Sequence, residues 1–190
     1  MIFTQFIDIT ADNASKAPLV RGGIRAFYDT GSSWVQETAG QVAAAKAAGM
    51  GIVLIDQSPG LAKFATGQAD VADIENGAGT TSALLAAVRT RQAHRWQSTA
   101  YVSYGSLAGL RTALTSAGLE MSLVLFGVAD YSWSIADAER LLGENPDWAY
   151  IQYGSNLTNP RTLVPGTNVT LAEAVADINV ARPAWADQFR

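Results

Sequence analysis

Short, almost continuously apolar runs recur along the chain, separated by longer Ala-rich stretches of helical period, and this alternation limits the possible folds most severely. The runs are Ile2–Ile9, Ile24–Asp29, Gly51–Asp56, Val71–Glu75, Thr99–Tyr104, Ser122–Val128 and Trp148–Tyr153. They are rich in Val, Ile, Leu, Phe and Tyr, as strands covered on both faces must be. Between them, the spacing predicts helices over Val35–Ala48, Thr81–Arg95, Ser106–Ala117 and Ile135–Leu142. Ser106 and Ser134 can cap N-termini, and Gly49, Gly118 and Gly143 suit left-handed helix stops. Strand–helix repetition of this kind implies a parallel sheet with right-handed crossovers.

Seven strands and an eighth element near Ala176–Val180 favour closure into a barrel over an open sheet. A complete eightfold barrel takes about 250 residues, and this chain has 190. The expected fold is therefore a compact α/β domain, a TIM-like (β/α) barrel with some helices reduced or missing. Asn156–Gly166, with Pro160 and Pro165, is expected to be one such loop. No linker or repeat interrupts residues 1–190, which form a single expected domain.

The ends of the runs carry acids: Asp8, Asp29, Asp56, the Asp73-Ile74-Glu75 triplet and, after the sixth run, Asp130. The seventh ends near Gln152. Acids are depleted in strands, and in a barrel these ends meet on the face where active sites are built. Each Asp can instead cap a helix or brace a turn. Strand residues two apart share a face, so Asp73 and Glu75 are expected side by side. Two close carboxylates resist joint ionisation, which leaves one as a proton donor near neutral pH. That is the requirement for protonating a glycosidic oxygen. Aromatics cluster near the same ends, including Tyr104, Tyr131 and Trp133. Their rings are divided between stacking on sugar faces and packing in the barrel wall.

Several other chemistries are excluded. The chain has no cysteine, which removes disulfides, thiolate zinc sites and cysteine nucleophiles. Its net charge of −4 offers no basic surface for nucleic acid. No apolar run reaches the roughly 20 residues of a membrane span. No signal peptide is visible, so the protein is expected to be cytoplasmic at synthesis. Asp29-Thr30-Gly31 spells an aspartic-protease signature, but that chemistry needs two such loops on an all-β frame. His94 is the only histidine and lies near a helix end, with no G-x-S-x-G elbow to supply a serine. No nucleotide-binding glycine loop is present, and no metal or cofactor is expected.

Taken in order, the short motifs resemble the glycoside-hydrolase-like barrels related to family-25 lysozymes, of actinobacterial and actinobacteriophage type. Phe6-Ile7-Asp8-Ile9 resembles their opening strand, Asp73-Ile74-Glu75 their D-x-E and Tyr101-Val102-Ser103-Tyr104 their fifth strand. Val128-Ala129-Asp130-Tyr131, Ile151-Gln152-Tyr153 and Asp177-Ile178-Asn179 are similar to the last three. The chain departs from the pattern around Phe126-Gly127 and at Ile55-Asp56-Gln57-Ser58-Pro59.

The resemblance implies a retaining muramidase acting on peptidoglycan. Glu75 would be the general acid/base, Asp73 and Asp8 would stabilise charge or orient an N-acetyl group, and Asp177 would line the site. Asp29, Asp56, Tyr104, Asp130, Trp133 and Gln152 are the further expected substrate contacts. The expected partner is a cell-wall glycan or other polysaccharide. The alternative expectation is a catalytically idle barrel that binds cell walls or sits in a phage virion, tail or capsid, beside other virion proteins.

Overall fold

Eight strands close into one barrel in the computed structural model, which describes residues 3–9, 11–30, 39–75 and 78–189. They are β1 (Thr4–Ile9), β2 (Ile24–Thr30), β3 (Gly51–Asp56), β4 (Val71–Asp73), β5 (Ser98–Ser103), β6 (Val124–Ala129), β7 (Trp148–Gly154) and β8 (Ala176–Ala181). The first seven pair in parallel in chain order. Their carboxyl ends form one pole of the barrel, the rim; their amino ends form the floor.

The longer helices are α1 (Ala39–Ala47), α3 (Thr81–Ala93), α4 (Tyr104–Ser116) and α5 (Ile135–Glu144). The remaining three are single turns: α2 (Ala62–Ala65), α6 (Leu171–Ala174) and α7 (Pro183–Ala186). Crossover helices are thus shortened, as the chain length demands.

The expectation of a wholly parallel barrel is corrected at β8, which runs antiparallel to both neighbours. The connection from β7 carries only α6, so no full helix returns the chain to the floor before β8 starts. Consequently Asp177 reaches the rim from the amino end of its strand, with Asp8 as its register partner.

Helix ends differ from expectation where local chemistry competes. Helix α4 begins two residues early, at Tyr104, so Ser106 lies inside its first turn and Ser103 takes the cap position. Ser134 does cap α5, in a reciprocal capping box with Asp137. Gly143 stays within α5; the helix stops at Asn145, which is extended because Pro146 follows it. Gly49 and Gly118 adopt the left-handed conformation expected of them. Positions 35–38 of the expected first helix lie outside the described residues.

Two apolar layers hold the barrel. One lies between strands and helices and includes Ile7, Phe27, Leu84, Leu114, Phe126 and Ile151. The other fills the interior with Phe6, Val53, Ile55, Val71, Tyr101 and Tyr150. Gly127 makes room for it, since a Cβ there would run into the Tyr150 ring. At the floor, Trp185 of α7 packs 4.9 Å from Tyr150 and 5.7 Å from Phe6. Its indole Nε1 donates to Thr99 Oγ1 at 3.1 Å.

Candidate active site

Strand parity decides which rim acids enter the barrel. Phe6 and Asp8 alternate with Ile7 and Ile9, and Val71 and Asp73 flank Ala72, so Asp8 and Asp73 continue the inward apolar series toward the rim. Asp177 and Asn179 do the same from β8, and Gln152 from β7. Tyr28 takes the inward place on β2. The side chain of Asp29 lies outside the described residues.

The inward groups form two linked clusters. In the first, Asn179 Nδ2 donates to Asp8 Oδ2 at 2.6 Å and Tyr28 Oη donates to Asp8 Oδ1 at 3.2 Å. Gln152 Nε2 donates to Asp177 Oδ2 at 2.7 Å and lies 3.4 Å from Asp8 Oδ2, while its Oε1 accepts from Tyr131 Oη at 3.3 Å. In the second, Asp73 Oδ2 accepts from Gln57 Nε2 at 2.6 Å and Oδ1 accepts from the Glu75 backbone N–H at 2.8 Å.

That last bond corrects the expected strand geometry. Strand β4 stops at Asp73 rather than Glu75, because the Asp73 carboxylate turns the chain by bonding two residues on. Glu75 therefore leaves the strand and lines a cleft of about 770 Å³ together with Ser103, Tyr104, Ser106, Asp130 and Tyr131. Asp8 and Asp177 line a smaller hollow of about 110 Å³ with Tyr28 and Asn156.

Burial sets the electrostatics. It raises the Glu75 carboxyl to about 7, helped by the charge of Asp73 and opposed by hydrogen bonding from Ser103 and Tyr101. Glu75 Oε1 is buried with no hydrogen-bond partner. Burial also lifts Asp73 to about 6, with Gln57 and the Glu75 backbone N–H pulling it back and Asp8 pushing it up. Asp177 is raised to about 8 by burial and by the charge of Asp8, against the Gln152 and Asn156 hydrogen bonds. Burial raises Asp8 too, and its Asn179 and Tyr28 bonds lower it. Within the neighbouring pair, Asp73 thus loses its proton before Glu75.

Two of the expected contacts are engaged in turns. Asp56 is fully buried, on the outward register of β3, and accepts from Ser58 N, Ser58 Oγ and Phe64 N. It braces the turn into α2. Asp130 borders the cleft, but its Oδ1 accepts from Ser132 N and Oγ, so it also stabilises a turn.

Among the aromatics, Tyr104 and Tyr131 line the cleft with 50 % and 42 % exposure, enough to offer a face to a ligand. Trp133 stands behind Tyr104, edge to face at 5.0 Å, and stacks on Trp148 at 6.1 Å. Tyr28, Gln57 and Asn179 were not among the expected site residues. The alternation Val53, Ile55, Gln57 carries the signal for Gln57; Tyr28 and Asn179 likewise follow inward neighbours by two. Among the described residues no group of three or more His, Asp or Glu side chains is placed to hold a metal ion, and no helix is long and apolar enough to cross a membrane.

The fold is an eight-stranded α/β barrel closed by a reversed eighth strand, with acids gathered at one rim beside a cleft. Three solved structures share it over nearly their whole length. The bacterial lysozyme from Streptomyces coelicolor is 16 % identical over 100 % of both chains, with a TM-score of 0.54. The muramidase from Trichobolus zukalii is 13 % identical over 97 % of this chain and 99 % of its own, at 0.51. The muramidase from Acremonium alcalophilum is 14 % identical over 94 % and 93 %, at 0.52. At such identities the likeness is one of fold. No protein-family model matches the sequence, and no curated protein matches it.

Proposed function

We propose that the protein is a glycan hydrolase that cleaves peptidoglycan by muramidase-type acid–base chemistry, with Glu75 as proton donor. The observation that carries this reading is a half-buried carboxyl, raised to about 7 beside a second acid raised to about 6, at the wall of a cleft of about 770 Å³. The protonated Glu75 gives its proton to the glycosidic oxygen as the C1–O bond breaks. Positive charge developing at C1 and the ring oxygen is offset by ionised Asp73, with Asp8 behind it. Water then adds at C1 and its proton passes to the Glu75 carboxylate, which restores the acid. Tyr104 and Tyr131 offer the ring faces on which sugar C–H surfaces stack. The muramidase and lysozyme structures that share the fold favour a cell-wall glycan over other polysaccharides.

Incubation of the purified protein with peptidoglycan should release reducing ends. The Glu75→Gln variant, isosteric but unable to donate, should lose on the order of 10²–10⁴ of that rate while melting no lower than wild type. Equal release by both would remove Glu75 from the chemistry. Wall binding by a wild type that releases nothing would point instead to the idle, wall-binding barrel.

A further inference from the structure

One buried polar side chain at the rim has no part in the chemistry just described. Gln57 follows β3 on the inward register, two residues beyond Ile55, and is 5 % exposed. Its Nε2 donates to Asp73 Oδ2, and its own Oε1 is buried with no partner. An amide can turn over to present either donor or acceptor to the same oxygen. Here the donor faces Asp73, which suits a carboxylate and not a carboxylic O–H. The backbone that carries Gln57 is fixed from both sides: Asp56 before it accepts from Ser58 after it and from Phe64 N in α2.

We infer that Gln57 is a positioning residue of the acid pair, its amide N–H pinning Asp73 as the ionised member so that the transferable proton stays on Glu75. The contact stands on its own geometry, while its purpose rests on the hydrolase reading above.

The neighbourhood makes such a donor necessary. The titratable groups coupled to Asp73 and Glu75 are Asp8 of β1, Tyr28 of β2, Tyr101 of β5, Tyr131 after β6 and Tyr150 of β7, all of them neutral or negative. No lysine, arginine or histidine shifts either acid among the described residues. Neutral hydrogen bonds are what favour charge on Asp73, and Gln57 supplies the largest of them.

The test needs no turnover. Carboxyl ¹³C NMR titrations of wild type and Gln57→Met, with Asp73→Asn and Glu75→Gln to assign the signals, read both midpoints directly. In the Met variant, which keeps the length and loses the donor, the Asp73 midpoint should rise by about one pH unit. The Glu75 midpoint should fall in the same sample, because less charge faces it. Should the Met variant fail to fold, Gln57→Leu makes the same comparison, removing the donor without adding a charge, and should also raise Asp73. Unmoved midpoints in either folded variant overturn the inference, even if wild type hydrolyses peptidoglycan. Moved midpoints in a protein that releases no reducing ends sink the hydrolase reading and leave Gln57 as the residue that sets Asp73.

Discussion

The acids near the rim fall into two groups with the same residue chemistry and opposite surroundings. Asp8, Asp73 and Asp177 point into the barrel and meet other acids and a few neutral donors, so burial keeps their proton affinity high. Asp56 points outward and is met by two backbone N–H groups and a hydroxyl, and Asp130 by one of each. Backbone N–H groups can satisfy a carboxylate fully, and a group so satisfied does not give up that geometry to bind something else. One register step along a strand thus separates an acid that faces other acids inside the barrel from an acid whose hydrogen-bonded neighbours are those of its own turn and the next helix.

The sharpest way to break the comparison is a pH–rate profile on peptidoglycan. Glu75 must be protonated and Asp73 ionised, so rates should fall about tenfold per pH unit above about 7 and below about 6. A rate that already falls about tenfold per unit from about pH 5 upward, as an ordinary carboxylic acid donor would give, would dissolve the distinction between the inward pair and ordinary carboxylates. Next in size, Asp56→Ala should cost about 3 kcal/mol, because it strips a fully buried group from its donors. Thermal melting measures that loss, and the limbs of the pH profile should stay where they were.

The smallest effect has the opposite sign. The Asp177 carboxyl sits at about 8 in the folded chain, above its ordinary value of 3.8. The native state therefore holds this proton more tightly than the unfolded chain does, and its stability declines as pH rises between those values. Asp177→Asn removes the charge and keeps an oxygen for Gln152. It should raise Tm by roughly 5 °C near pH 8.5 and lose that advantage toward pH 4. An equal gain at both ends would mean that charge has nothing to do with it.

Much of the barrel was legible because fully covered strands leave near-continuous apolar runs, and seven of them mark themselves without ambiguity. The direction of β8 was not, since an apolar run reads the same either way and only the missing crossover helix sets its sense. Asp8, Asp73, Glu75, Gln152 and Asp177 were legible as a set from strand-end position and from the family resemblance, and the structure gathers them at one rim. The role of Asp56 was not, because sequence alone placed the strand end without fixing which face its last residue takes. Gln57 was overlooked for a related reason: an uncharged amide just past a strand attracts no notice until its partner is seen. The end of β4 was misplaced because Asp73 bonds its own turn, a local competition that strand periodicity does not register.

The reversed strand also decides where the first and last described residues lie. Thr4 is the register partner of Ala181, and Trp185 seals the floor beneath Phe6 and Tyr150, so both ends of the described chain leave at the pole away from the cleft. A tether, a fused module or a solid support attached at either end would hold the barrel from behind with its mouth unobstructed.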